Sequence, residues 1–324
     1  MNITARILAL APIAITAFVP LSNAQTYPAK PIRLLIPFGA GGNTDVVARL
    51  VGQKVAETLG QQILIDNRPG AGGNIATEIA ARAAPDGYTL LMGTIGTQSV
   101  NAALYGKLSF DPAKDFAPIT LVTVTPHVIF IHPSVPAQSM KDLVALAKKR
   151  PGALNFASAG NGSSQHLGLE NFKLATGAVM THIPYKSGAE AATAVISGQV
   201  SVMFEALPVV LQFIQSGKVR ALAVAGPKRL AALPDLPSVN ETGVPAFTSG
   251  SWQGVLAPAG TPREIINRLN AEFVKVVKSS DMQGKFVGMG AEAGGNTPEE
   301  FDAFIKAETA KWSKIVKTSG MRID

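Results

Sequence analysis

The sequence predicts an α/β protein built from repeated strand–loop–helix units, and three observations predict it. The apolar run Ile32–Ile36 exits into Pro37–Asp45, a stretch containing Gly39, Gly41 and Gly42. A helical pattern follows, with Val46, Val47, Leu50, Val51, Val55 and Leu59 on one face. The same order recurs later: Asn155–Ser158 exits through Ala159–His166 into a helix reaching about Ala175. Finally, hydrophobic residues make up 47% and aromatics only 6%, the Leu/Ile/Val/Ala-rich composition of parallel strands covered by helices.

The 324 residues suit one large domain or two of ordinary size. No short repeat or low-complexity tract interrupts them. There is no cysteine, which excludes disulfides, Cys nucleophiles, Cys-ligated metal and a lipid anchor on Cys. The net charge of +7 is dispersed. Its densest cluster, Lys148-Lys149-Arg150, reads as the solvated C-terminal end of a helix. Nucleic-acid binding needs clustered charge with interleaved aromatics, so the excess reads instead as mild attraction for anions.

Residues 1–24 read as a secretory signal peptide: Arg6, the apolar run Ile7–Val19, then Ser22-Asn23-Ala24 as cleavage site, with the mature chain starting at Gln25. Pro12 and Pro20 oppose a buried helix there. The run is short for a membrane span, and no later segment supplies one. A soluble periplasmic protein is expected.

In the first glycine loop, uncovered amides and the start of a helix make a carboxylate or phosphate the natural guest. It also reads as a plain strand-to-helix turn. Asn43 or Thr44 is the expected cap and Gly60 the expected stop. The loop is not a nucleotide fingerprint: Thr44 stands where a third Gly or Ala is needed, and no Lys-Ser/Thr follows. Next come a strand over Gln62–Asp66, the loop Asn67–Asn74, a helix over Ile75–Ala84, and a strand over Tyr88–Met92. That strand opens onto Gly93–Thr97. In open parallel sheets ligands bind at such strand exits.

Lys107–Ala117 reads as a surface crossing. Phe116–Val124 and His127–Ile131 read as two strands broken at Thr125-Pro126. Ser139 caps a helix to about Arg150. Ser163 or Ser164 caps the helix after the second glycine loop. Further strands are expected at Val179–Ile183, Val200–Phe204, Val219–Val224 and Ser251–Ala257, with helices over 188–196 and 209–215. Arg229–Pro245 reads as surface connection. Thr261 caps a helix to about Lys278 with Pro262 in its first position, and Thr297 caps a last one over Pro298–Thr318. The chain then divides into one lobe from 25–125 plus 249–324 and a second from 126–248, with a ligand between facing loops.

Several stretches resemble the Bug family, the periplasmic receptors of tripartite tricarboxylate transporters: Tyr27-Pro28 with Lys30–Arg33, Pro37–Asp45, Asn67–Gly73, Pro85–Tyr88, Gly162-Ser163-Ser164 with His166-Leu167, His182–Lys186, Gly217–Ala223, Leu236–Val239 and Ala257–Pro262. They follow one another over nearly the whole mature chain. The resemblance implies a type II periplasmic-binding-protein fold: two α/β lobes joined by crossover strands, with a ligand cleft between. It implies a small organic carboxylate held by backbone groups and bridging waters and membrane components of a transporter as partners. It places Ala40, Gly41, Gly42 and Asp45 on the near carboxylate, hydroxyls of Ser163 and Ser164 facing them, and Gly188 and Ala189 on the distal end. The neighbouring strand exits add Thr94, Thr97, Ser158, His166 and Glu205. The chain departs from the family pattern at Gly39, usually non-glycine, which implies a looser loop. It departs again at Glu205, often Asp, which suits a ligand ammonium or hydroxyl, disfavours a nearby second carboxylate such as citrate's, or simply faces water. A monomer without cofactor is expected.

The catalytic alternative is a secreted serine hydrolase using Ser163 and His166. It lacks the Gly-x-Ser-x-Gly elbow, and the Ser163–His166 spacing is that of an N-cap. His127, His132, His166 and His182 show no metal-ligand spacing; His132 and His182 read as ordinary strand-end histidines.

Overall fold

Strands that are apolar on both faces need two cores, and the computed structural model supplies them over the residues it describes, 27–321. The expected signal peptide lies outside the described residues. The elements are β1 (Ile32–Ile36), α1 (Asn43–Leu59), β2 (Ile63–Asn67), α2 (Asn74–Ala81), β3 (Thr89–Thr94), α3 (Asn101–Leu104), β4 (Phe116–Ile131), α4 (Met140–Lys149), β5 (Asn155–Ser158), α5 (Ser164–Thr176), β6 (Thr181–Pro184), α6 (Gly188–Ile196), β7 (Val202–Ala206), α7 (Leu207–Gln215), β8 (Arg220–Val224), β9 (Gly250–Pro258), α8 (Arg263–Val277), α9 (Ser280–Gly288), β10 (Glu292–Ala293) and α10 (Pro298–Ser319).

The strand order is β2-β1-β3-β9-β4-β7-β5-β6, with β8 and β10 also paired to β4. The outer pairs are parallel, and β9 and β4 run antiparallel to their neighbours. Alternation sets the cores. Ile32, Leu34 and Ile36 face one cluster with Leu90, Met92 and Val255, while Leu35, Leu91 and Leu256 face another across the same sheet. In the second half, Ile129, Phe156 and Phe204 face one cluster and Val128, Ala157 and Met203 the other.

β4 runs unbroken through Thr125-Pro126, where the sequence predicts a gap. Proline cannot donate to a ladder and belongs at an edge or irregularity. Here it stands where the strand changes partners. Pro126 faces Gly250, the first residue of β9, and His127 then pairs with Ala206 of β7. A Cβ on Gly250 would lie 2.7 Å from the Thr125 carbonyl oxygen, so this switch requires glycine.

Two end signals and one whole helix differ from expectation. Gly42, not Asn43 or Thr44, occupies the N-cap of α1. Thr261 spends its hydroxyl on the Pro258 carbonyl (2.8 Å), so Pro262 becomes the N-cap and α8 begins at Arg263. α9 is missing from the sequence reading: Gly284 and Gly288 dilute its pattern, and only Met282 and Phe286 are buried. Ser139, Ser163 and Thr297 cap as expected.

Three histidines are folded in neutral. His127, 0% exposed, places Nδ1 2.8 Å from Ser249 Oγ. The rings of His166 and His182 stack 4.0 Å apart at an interplanar angle of 7°. Burial pushes His127 and His166 down to about 3, with the facing His182 adding to the shift at His166, and pushes His182 down to about 4. Below 6.5 the unfolded chain therefore binds protons that the fold refuses, and stability falls with pH. Glu205, raised by burial to about 7, works in the other direction with one proton: the fold retains it between 4.5 and 7. The expected outcome is a urea midpoint that levels off above about pH 7 and drops steadily from there towards pH 5, each uncompensated histidine contributing up to about 1.4 kcal/mol per pH unit. A midpoint constant over that range excludes neutral burial of these rings.

Candidate functional site

The C-terminal ends of β1, β3, β5 and β7 meet, together with the β9 crossover, around an inner cavity of about 30 Å³, room for roughly one water. One wall comes from Gly42, Asn43, Thr44, Thr94, Ser251 and Gln253. The other comes from Ala159, Ser164, Gln165, Gly188 and Glu205. Phe38 and Ala159 also line an outer chamber of about 340 Å³, bounded by Gly70–Gly73, Tyr105, Asn161 and Tyr185-Lys186. The walls touch directly: the Gly39 N–H donates to the Lys186 carbonyl at 3.1 Å, and Tyr105 Oη donates to the Asn161 carbonyl at 3.3 Å.

Of the residues singled out in the sequence, Gly42, Thr94, Ser164, Gly188 and Glu205 line the inner cavity. Gly42 and Ser164 thus share one crevice, while Gly41 and Ser163 flank it without lining it. Ala40 and Gly41 are exposed at its mouth, and a Cβ on Gly41 would lie 3.3 Å from that of Ala189. The others stand behind the wall. Asp45 Oδ2 accepts from the Gly41 N–H (2.9 Å) and Arg49 Nε (3.0 Å), and Oδ1 accepts from Asn67 Nδ2 (3.0 Å). Burial opposes ionisation there, but these hydrogen bonds win and hold the carboxyl below the usual range. Asp45 shapes the loop from behind. Thr97 Oγ1 accepts from the Thr94 N–H (3.0 Å). Ser158 Oγ accepts from the Gly160 N–H (3.0 Å) and pairs with His182 Nε2.

The hydrolase alternative requires a bond between the Ser163 and His166 side chains. Instead Ser163 Oγ accepts from the His166 backbone N–H, and His166 Nδ1 accepts from the Gly162 N–H (3.2 Å). The serine caps the helix and the imidazole braces the loop.

Sequence reasoning missed Asn43, Gln165, Ser251 and Gln253 as wall residues. Gln253 Oε1 accepts from Thr123 Oγ1 (2.8 Å) and Asn43 Nδ2 (3.4 Å). Asn43 Oδ1 is buried without a partner among the described residues. The available signal was period-two polarity: Ser251 and Gln253 flank the buried Trp252 in an otherwise apolar strand. His127 was missed as well. Its Nε2 lies 3.4 Å from Ser164 Oγ, so Ser249, His127 and Ser164 form a chain from the crossover strands to the cavity.

The electrostatics are unusual for an anion site. Among the described residues lining the inner cavity there is no Lys, Arg or His, and the ionisable one is Glu205. Glu205 is 1% exposed, which overturns its reading as a water-facing strand end. It accepts from Gln165 Nε2 (2.9 Å) and from the Ala206 N–H (2.7 Å), and burial raises its acid to about 7. Positive potential comes from helices: α1, α5 and α6 begin at Asn43, Ser164 and Gly188, each with unpaired first-turn amides. Ser163 and Ser187 cap the amides of His166 and Glu190, leaving those of Ser164, Gln165 and Gly188 without helix partners at the wall.

Comparison with known proteins agrees with this architecture. The chain is 37% identical to protein BugT of Bordetella pertussis, covering all of both chains. It is similar to the solved structure of Rpa4515 of R. palustris with adipate (37% identity, TM-score 0.88, 91% of this chain and 99% of that one). It is also similar to MatC from Rhodopseudomonas palustris with bound malate (33%, TM-score 0.85, 90% and 100%). The model of the tripartite tricarboxylate transporter family receptor matches residues 47–321, and the chain belongs to that family, with the α/β fold of its periplasmic binding proteins.

Proposed function

We propose that the protein is an extracytoplasmic receptor that closes on a small organic carboxylate and delivers it to the membrane components of a tripartite transporter. One observation carries the reading: three helix N-termini converge on a buried cavity that has no basic side chain. Each N-terminus contributes about 0.3–1 kcal/mol towards an anion, up to ~2 in partly buried geometry. Amide–carboxylate hydrogen bonds add charge-assisted strength once water is excluded. The adipate and malate bound by similar proteins point to linear dicarboxylates of four to six carbons. Such an acid exceeds the room for one water, so residues 126–248 must part from 27–125 and 249–321 to admit it, with β4 and β9 as the flexing strands. The glycine contacts across the cleft re-form around the ligand's edge. The leader in residues 1–24 fits export to the periplasm, and the described residues contain no helix long and apolar enough to cross a membrane.

A thermal-shift screen with adipate, malate, succinate and acetate tests the reading. The expected result is stabilisation by a dicarboxylate worth about 2.7 kcal/mol at a hundredfold excess over its Kd. No gain with any acid refutes it. A second test is Gly188→Ala, whose new methyl would overlap Glu205 Oε2. The expected outcome is at least tenfold weaker dicarboxylate binding by calorimetry, with a stability loss of about 1–3 kcal/mol from overpacking.

A further inference from the structure

Glu205 is an acid in the wall of a cavity assigned to an acid, and the geometry leaves it no cation. Its two known partners both donate: Gln165 Nε2 to one oxygen and the Ala206 N–H to the other. Each oxygen keeps one further site, and the carboxyl group borders the cavity beside Gly188. The titratable groups on surrounding elements are engaged elsewhere. On β4, His127 is neutral between Ser249 and Ser164. On α5, His166 accepts from Gly162, and Glu170 is paired with Lys173. On α6, Glu190 accepts from the Lys186 N–H; on α1, Asp45 holds Arg49. α7 and β5 carry no charged residue.

A dianion seated against the α1, α5 and α6 N-termini therefore brings a carboxylate up to Glu205. Two ionised carboxylates in contact are disfavoured, and one must take a proton. We propose that Glu205 holds a proton in the ligand-bound cleft and donates it in a hydrogen bond to the ligand's distal carboxylate, so that at alkaline pH capture of a dicarboxylate draws one proton from solvent. This rests on the carboxylate reading above. Burial already raises the free acid to about 7, and a facing carboxylate raises it further. Below pH 7 the proton is in place before binding. Above it, binding must recruit the proton, and affinity falls tenfold per pH unit until the bound group itself titrates. A ligand that brings its own donor, an ammonium in place of the distal carboxylate, meets the ionised Glu205 directly and escapes this dependence.

The test is isothermal calorimetry with adipate at pH 6 to 8.5, in buffers of differing ionisation enthalpy. Expected are uptake approaching one proton at pH 8, a Kd that rises about fivefold from pH 7 to 8 and more steeply above it, and a pH-independent Kd in Glu205→Gln. Thermal unfolding of that variant checks its fold, and the proton count in the unaltered protein needs no variant. A wild-type Kd that is constant with pH, no proton uptake at pH 8, or the same slope in Glu205→Gln overturns the proposal. Absence of binding by any dicarboxylate at any pH refutes the receptor reading itself, a separate outcome.

Discussion

The close approach of backbone to backbone across the cleft constrains the rest of the molecule. Gly42 meets Gly188 so tightly that a Cβ on the first would lie 3.4 Å from the amide nitrogen of the second, and a Cβ on Gly96 would lie 2.5 Å from the Gly162 carbonyl oxygen. Helix N-termini can act on one small guest only if no side chains stand between them. Short range matters because the dipole effect fades beyond the first turn. The glycine loops therefore form a contact surface, and only secondarily supply conformational freedom, although Gly41 and Gly162 also use positive φ (80° and 79°). Even Gly39, whose departure from the family pattern suggests a looser loop, is tied to the Lys186 carbonyl.

On the proposed receptor reading that contact opens and closes without unravelling either half, and β4 suits the requirement. One strand serves both sheets, exchanging β9 for β7 and β8 at Pro126. The exchange leaves His127 buried with both ring nitrogens directed at serines, one on the approach to β9 and one in the first turn of α5. A change in the angle between halves must alter this chain, since its ends lie on elements attached to different parts of the sheet. The neutral ring makes that possible without moving a buried charge.

Much of this was legible before the structure. Strand–loop–helix order and the caps at Ser139, Ser163 and Thr297 follow from local spacing and turn chemistry, whereas the facing of the Gly42 and Ser164 loops was implied by the family resemblance. The interior of the site was less legible, for a physical reason. Sequence marks hydroxyls and glycines at strand exits, but not which of them are consumed in holding the exits together. Thr97, Ser158, Ser163 and Asp45 each spend their polar atoms on nearby groups, and so stand one layer behind the wall. Asn43 looks like a cap but reaches instead to β9, across a separation in sequence that no local pattern encodes. Glu205 was singled out for the site, but its complete burial was not foreseen, because an acid at a strand end ordinarily faces water.

If the cavity takes anions by dipoles, as proposed, that also explains why the walls can meet over so little volume. A fixed Arg would bind a carboxylate strongly, but in the closed, unliganded cleft it would be a desolvated cation without a partner, a state penalised by several kcal/mol. Amides, hydroxyls and helix ends pay far less when they face one another, and Glu205 can reduce its own penalty by taking a proton. The same groups lose little when the guest leaves. Neutral walls therefore suit a receptor that must release what it captures, and in the proposal the single acid among them is the point at which solvent protons enter the binding equilibrium.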